Sequence, residues 1–113
     1  AAHAPEWFTT APSLAIPKAL DKAGLTTADV DFWELNEAFA CQALAVIREA
    51  GLDPAKVNIN GGAVALGHPL ACTGTKLTVQ ITADLKRLNK KYGMVTACVG
   101  GGQGIAGIYE RIN

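Results

Sequence analysis

The chain has 113 residues, of which half are apolar, and its ten basic side chains are matched by ten acidic ones. This length suits one domain, and the apolar fraction excludes an intrinsically disordered chain. A net charge of zero argues against attraction to nucleic acid or to an anionic membrane surface. No apolar run approaches the roughly 20 residues of a membrane span. The sequence starts at Ala1 without Met or a signal peptide, so we interpret it as part of a longer polypeptide.

Hydrophobic spacing and turn residues divide the sequence into helices and strands. After an irregular segment, the predicted elements are a helix at 16–23, a strand at 31–35, a helix at 37–50, a strand at 57–60, a helix at 74–88, and strands at 94–99 and 104–112. Asn36 is the expected N-cap of the second helix, and Gly51 ends it. Because this helix is apolar on nearly all sides, we expect it to be buried.

This order of elements predicts an α/β fold with helices layered on a mixed, mostly parallel sheet. The glycines at 100–102 separate the last two strands and predict an antiparallel end to the sheet. Sheets of this type normally open with a strand, and here a helix comes first. We therefore expect the first strand to lie upstream of Ala1, and we treat residues 1–113 as one domain of a longer subunit.

The three cysteines, Cys41, Cys72 and Cys98, are widely spaced and odd in number. Such a set favours reduced thiols in an intracellular compartment over a disulfide framework. His68 and Cys72 have the spacing of two metal ligands on one helix, but Pro69 disfavours a helix through His68. The sequence therefore predicts no metal site, and we interpret Cys41 and Cys72 as inert buried thiols.

Two glycine patterns are incomplete phosphate-binding motifs. Gly62 and Gly67 have P-loop spacing, but His-Pro follows them where Lys-Ser or Lys-Thr is required. Residues 102–107 satisfy G-x-G-x-x-G, yet the sequence given ends too soon afterwards to supply the helix and acidic residue of a dinucleotide site. Neither pattern predicts nucleotide binding.

Three polar or reactive residues stand at the ends of predicted strands. Asn36 closes the first strand, His68 follows the second, and Cys98 ends the third. Since parallel strands share one carboxyl edge, where ligands bind, these side chains are candidates for a single cleft. Simpler interpretations remain open: Asn36 as a helix cap, His68 as a turn residue, and Cys98 as an inert buried thiol.

Three blocks of sequence resemble the thiolase family. Residues 36–40 read NEAFA, residues 61–70 read GGAVALGHPL, and residues 98–104 read CVGGGQG. They match the family's NEAFA, GGAxALGHP and C-x-G-G-G-x-G blocks and occur in the same order. The resemblance covers nearly the whole chain and implies the C-terminal domain of an acetyl-CoA acetyltransferase or 3-ketoacyl-CoA thiolase.

The resemblance implies an acyltransferase that joins two acyl-CoA thioesters by Claisen condensation, or splits a 3-ketoacyl-CoA with free coenzyme A. An N-terminal domain of the same subunit would supply the nucleophilic cysteine, so this chain alone is expected to be inactive. The resemblance further implies coenzyme A thioesters as substrates, no resident cofactor or metal, and a homodimer or homotetramer. It also implies a cytoplasmic location, with the mitochondrion and the peroxisome as alternatives.

By the same resemblance, Cys98 is the acid/base that takes or returns the proton on the carbon α to the thioester. His68 would activate the nucleophile and donate to the thioester oxygen, and Asn36 would hold a water molecule that is the other donor. The backbone N–H of Gly100 would contribute to a second oxyanion hole. An α-proton of a thioester is weakly acidic, so this base succeeds only if the enolate oxygen is stabilised at the same time. The thiolate form of Cys98 would need nearby donors or His68 to lower its pKa.

Four more positions bear on the resemblance. It places Ala38 and Phe39 at the coenzyme A binding site. Ala71 stands where the family usually has glycine, and its methyl group would strain the loop if that position needs a positive φ. Lys76 commonly has an arginine counterpart, and the sequence assigns it no role.

Two other functions share this fold. One is a non-catalytic homologue that binds acyl-CoA or lipid. The other is a decarboxylating condensing enzyme, which generally uses two histidines where this chain supplies His68 and Cys98; we rank it below the thiolase interpretation.

Overall fold

The computed structural model describes residues 1–113, in which helices cover both faces of a three-stranded sheet. Strand β1 (Phe32–Leu35) pairs in parallel with β2 (Tyr92–Gly100), and β2 pairs antiparallel with β3 (Gln103–Glu110). The helices are α1 (Pro12–Ala23), α2 (Ala40–Glu49), the single turn α3 (Ala63–Leu66) and α4 (Thr73–Arg87). Short 3₁₀ turns lie at Pro5–Thr10, Thr27–Asp29 and Pro54–Lys56. The predicted α/β fold, with a mixed sheet and an antiparallel end, is confirmed.

One face of the sheet packs against α1 and α2. Trp33 of β1 and Met94 of β2 lie side by side in register and are fully buried. Ile16 of α1 and Val46 of α2 close over them in a single hydrophobic cluster. This cluster is the main core, and it holds β1 in the middle of the fold.

The other face packs against α4, which runs from the site loop back along β2. Leu77, Ile81 and Leu85 are buried on one side of this helix, as the helical spacing predicts, whereas Leu88 is partly exposed. A Cβ at Gly93 would collide with the Ile81 side chain, so glycine is needed for this close approach. None of the helices is both long and apolar enough to cross a bilayer.

Helix α1 begins at Pro12, four positions earlier than predicted, and ends at Gly24, whose φ is +66°. Proline suits the first turn of a helix because its missing N–H would have no intrahelical partner there. Gly24 takes the left-handed conformation that ends many helices, as predicted.

The predicted strand at 57–60 does not form. Val57 makes only an isolated parallel bridge with Trp33, and Asn58 turns the chain away with a φ of +49°. The Asn58 side chain then takes the place of strand backbone: the N–H of Leu35 donates to Oδ1, and Nδ2 donates to the Leu35 carbonyl, both at 2.9 Å.

Helix α2 corrects two further predictions. It begins at Ala40, and its N-cap is Phe39, so Asn36 does not cap it. The helix is not buried on all sides, because Leu44 is 55% exposed while Ala43 and Val46 face the core. Apolar composition alone did not distinguish a core helix from one with an exposed apolar face.

Candidate active site

The carboxyl ends of β1 and β2 form one edge of the sheet, because the two strands are parallel. Asn36 directly follows β1, and its N–H donates to the Thr96 carbonyl of β2 at 2.9 Å. Cys98 lies two residues further along β2. This edge therefore carries two of the three predicted polar residues on neighbouring strands.

The loop after α3 brings His68 to the same edge. The Asn36 Nδ2 lies 3.4 Å from the His68 Nε2, although 32 positions separate the two residues. Asn36 is 1% exposed, and its Oδ1 is buried without a hydrogen-bond partner in the chain. The structure thus joins an amide and an imidazole, and the amide keeps a free acceptor.

The His68 loop is held by two residues of α4. The Thr73 Oγ1 lies 2.6 Å from the other ring nitrogen of His68, Nδ1. Lys76 donates to the carbonyl of Gly67, the residue before His68. Sequence analysis assigned a role to neither residue; their positions near the start of a helix that follows His68 are the signal that was missed.

Glu37 anchors the start of the same loop. Its Oε2 accepts from the Val64 N–H at 2.9 Å, and its Oε1 accepts from the Asn58 Nδ2 at 3.2 Å. A Cβ at Gly62 would overlap this carboxylate, which explains the glycine at that position. Glu37 therefore ties the glycine loop to the end of β1, a role that its place beside Asn36 did not reveal.

Cys98 lies at this edge, half-buried, with no hydrogen bond from its thiol to His68 or Asn36. Burial raises the pKa of the Cys98 thiol, and the bond to its own backbone N–H offsets this only in part. His68 makes no contribution that lowers this pKa within the chain. Cys41 and Cys72 are free and exposed, which corrects their interpretation as buried thiols.

The remaining predicted residues surround this edge. Gly100 has a φ of +100° and lies at a register shift where β2 ends. Ala38 is half-buried and Phe39 is 55% exposed, both between Asn36 and α2. Ala71 has a φ of +56°, so the condition under which its methyl group strains the loop is met. No three His, Cys, Asp or Glu side chains are grouped to hold a metal ion.

A buried carboxyl group lies beneath the site, where sequence reasoning did not look for one. Glu34 of β1 is 2% exposed. Its pKa is raised to about 7 by burial and by the charge of Asp84, with Glu37 adding to the rise and Lys76 opposing it. Glu34 is therefore partly protonated near neutral pH.

Residues 1–111 match the family model "Thiolase, C-terminal domain". A match across almost the entire chain shows that it belongs to the thiolase family, as a C-terminal domain. The family predicted from the three sequence blocks is thereby confirmed.

Individual relatives agree with this assignment. A 3-ketoacyl-CoA thiolase of Bacillus subtilis is 58% identical over 94% of the chain and 27% of its own length, and acetyl-CoA acetyltransferase 2 of Arabidopsis thaliana is 53% identical over 99% and 28%. The crystal structure of human mitochondrial 3-ketoacyl-CoA thiolase superimposes on 100% of the chain and 29% of its own with a TM-score of 0.98, at 47% identity. The chain thus spans less than a third of the length of the relatives it matches.

Proposed function

We propose that this chain is the C-terminal catalytic half of a thiolase that condenses two acyl-CoA thioesters or splits a 3-ketoacyl-CoA with coenzyme A. The observation that carries the proposal is the contact between Asn36 and His68 at the edge where β2 brings Cys98. The names of the matched relatives, which are acyltransferases acting on coenzyme A thioesters, support it.

In this proposal, His68 takes the proton of the nucleophilic thiol and then donates from the same nitrogen to the thioester oxygen. Asn36 is the second element of this oxyanion hole. Its buried Oδ1 lacks a partner in the chain, so it is free to accept from a water molecule that in turn donates to the enolate oxygen. The protonated Nε2 of His68 and this water molecule then stabilise the charge, and the proposed reaction needs neither a metal nor a resident cofactor.

Cys98 is the proposed acid/base. Because burial raises its pKa, the thiol is protonated at neutral pH and is ready to return a proton to the α-carbon. The corresponding thiolate is a stronger base than an ordinary one, which suits a weakly acidic C–H bond. The thiolate must be stabilised by groups that arrive with the substrate or the rest of the subunit.

Gly100, Ala38 and Phe39 complete the proposed site. The left-handed backbone of Gly100 lies just beyond Cys98, where its N–H is proposed to contribute to a second oxyanion hole. Ala38 and Phe39 follow Asn36 at the same edge, and the exposed ring of Phe39 is proposed to contact the acyl-CoA substrate.

The proposal places this domain in a longer, two-domain subunit that forms a homodimer or homotetramer. Large apolar side chains are exposed around the His68 loop, up to 99% for Leu70, and the proposed N-terminal domain would cover them. That domain would bring the nucleophilic cysteine, so the chain alone is expected to be inactive. We propose a cytoplasmic location, in agreement with a relative named cytosolic. The peroxisome and the mitochondrion are the alternatives, because other relatives are named peroxisomal and mitochondrial.

A chimera tests the proposed function. The chain replaces the matching segment of the Bacillus subtilis relative, and thiolytic cleavage of a 3-ketoacyl-CoA is measured. We expect activity in the chimera and its loss, by at least about 100-fold, in Cys98→Ala and His68→Ala, since general acid–base groups contribute about 10²- to 10⁴-fold. Cys41→Ala is the matched control, because this thiol is exposed on α2.

The outcomes distinguish catalysis from binding alone. Full activity in both Cys98→Ala and His68→Ala would end the proposal. A folded chimera that binds coenzyme A but does not turn over would favour the non-catalytic homologue.

A further inference from the structure

The buried Thr73 hydroxyl and the His68 imidazole make a short contact that the proposed mechanism does not use. Thr73 is 6% exposed, and its Oγ1 lies 2.6 Å from Nδ1 of His68. The same Oγ1 lies 3.4 Å from the carbonyl oxygen of Pro69. Thr73 is the first residue of α4, so the backbone of a 15-residue helix fixes its position.

We propose that Thr73 is a positioning residue that holds neutral His68 in the tautomer with its proton on Nδ1, leaving Nε2 bare towards Asn36. This inference rests on the proposed role of His68 as a proton acceptor. Thr73 itself touches no reacting atom and acts through the orientation and protonation of the ring.

The direction of the hydrogen bonds supports this tautomer. The amide nitrogen of Asn36 can only donate, so the Nε2 that faces it at 3.4 Å must accept. A neutral ring carries one proton, which is then on Nδ1 and is donated to the Thr73 Oγ1. The hydroxyl donates its own hydrogen to the Pro69 carbonyl, so the Asn36 amide, the His68 ring and the Thr73 hydroxyl each donate to an acceptor in this series.

If the Thr73 hydroxyl instead donated to Nδ1, the proton of the neutral ring would be on Nε2, and the groups left unpaired would be less favourable. This alternative requires Asn36 to turn its oxygen towards Nε2, which would bury the amide NH₂ where Oδ1 now lies without a partner. An unpaired buried N–H group is rarer than an under-satisfied carbonyl oxygen. The Pro69 carbonyl would also lose its hydroxyl donor, because Thr73 would have to donate to the ring.

This arrangement suits proton transfer at Nε2. The proton of the nucleophilic S–H bond moves to the bare Nε2, and the electron pair of that bond stays on sulfur as the thiolate. Nδ1 keeps its proton and its bond to Thr73 before and after the transfer, so the ring need not turn between accepting a proton and donating it.

Nitrogen NMR of the 113-residue chain labelled at its histidines tests the tautomer, because a bare ring nitrogen resonates far downfield of a protonated one. The chain has one other histidine, His3, and His3→Gln assigns the signals. We expect a protonated Nδ1 and a bare Nε2 for neutral His68 in the wild type. Thr73→Val, which keeps the branched shape, should shift both signals towards the average of a free imidazole, and Thr73→Ser should restore them.

A bare Nδ1 in the wild type would overturn the inference, and so would signals that Thr73→Val leaves unchanged. If Thr73→Val does not fold, Thr73→Ala, which also removes the hydroxyl, takes its place in the same comparison. The NMR measurement of the tautomer does not depend on enzymatic turnover. An inactive chimera together with the expected tautomer would therefore contradict only the proposed function. An active chimera with the proton on Nε2 defeats only the role of Thr73. In an active chimera, Thr73→Val should lower turnover about 10- to 100-fold, less than complete loss of general acid–base catalysis.

Discussion

At the scale of single residues, Ala71 stores strain in the loop that carries His68. Its φ of +56° is left-handed, a conformation that costs a residue with a Cβ roughly 1–2 kcal/mol. The neighbouring hydrogen bonds of Thr73 and Lys76 hold the loop in place despite this cost. Glycine, the usual residue of the family at this position, would relieve it.

We predict that Ala71→Gly raises the free energy of unfolding by about 0.5–1 kcal/mol, because the relief of strain exceeds the added flexibility of glycine in the unfolded chain. Urea unfolding followed by circular dichroism measures the change. Ala83→Gly is the control: this alanine is exposed within α4, so the substitution should lower stability by about 0.5–1 kcal/mol. Equal losses in both variants would contradict strain at Ala71.

At the scale of elements, one asparagine side chain replaces a strand. The Asn58 amide pairs with both backbone groups of Leu35, and its own N–H donates to the Trp33 carbonyl at 2.8 Å. β1 is thereby bonded on the side opposite β2, although no second strand runs along it. The same amide also donates to Glu37, so this substitute for a strand contacts the anchor of the site loop.

Asn58→Ala should therefore lower the free energy of unfolding by about 2–4 kcal/mol, since it leaves two buried backbone groups of Leu35 unpaired and puts a Cβ at a φ of +49° without a compensating side chain. Asn58→Gly separates the two causes, because glycine accepts this φ but also lacks the amide. We expect Asn58→Gly to lose most of the same stability in urea unfolding. Recovery of wild-type stability in the glycine variant would show that backbone strain, and not pairing with Leu35, dominates.

The helices and strands that were predicted correctly are those whose sequence patterns involve only neighbouring residues. The apolar spacing of α4, the glycine end of α1 and the two strands flanking 100–102 are properties of neighbouring residues, and each appears in the structure. The prediction of a strand at 57–60 was wrong because Asn58 bonds to Leu35, 23 positions away, and such a contact leaves no periodic pattern in the sequence. The meeting of Asn36 and His68 followed from topology, whereas the support from Glu37 and Thr73 depends on side-chain directions that spacing does not encode.

At the scale of the whole molecule, the face between the sheet and α4 contains a charged layer. Asp84 is paired there with Arg87 at 2.7 Å and accepts from Asn60 at 2.6 Å and from Gln80 at 2.9 Å. Glu34 faces this layer from β1 with no side-chain hydrogen bond of its own. Its ionisation adds a second negative charge to the interior, which only Lys76 opposes. The stability of the whole fold therefore depends on the protonation of one carboxyl group.

The direction of the pH dependence follows from the protonation of Glu34 in the unfolded and the folded states. The pKa of Glu34 rises from 4.5 to about 7 on folding, so the folded state binds more protons between these values, and stability falls as the pH rises through that range.

We predict that Glu34→Gln removes this fall. The stability of the variant relative to wild type should increase by about 1–2 kcal/mol between pH 4.5 and pH 8, which is less than the full shift implies because solvent screens part of the charge. Urea unfolding at a series of pH values measures this difference, and its slope is independent of how well the glutamine amide packs. Glu49→Gln, on the exposed end of α2, is the matched substitution with which the pH series for Glu34→Gln is compared. A difference for Glu34→Gln that does not change with pH would mean that Glu34 remains ionised in the folded protein, with water or Lys76 compensating for its burial.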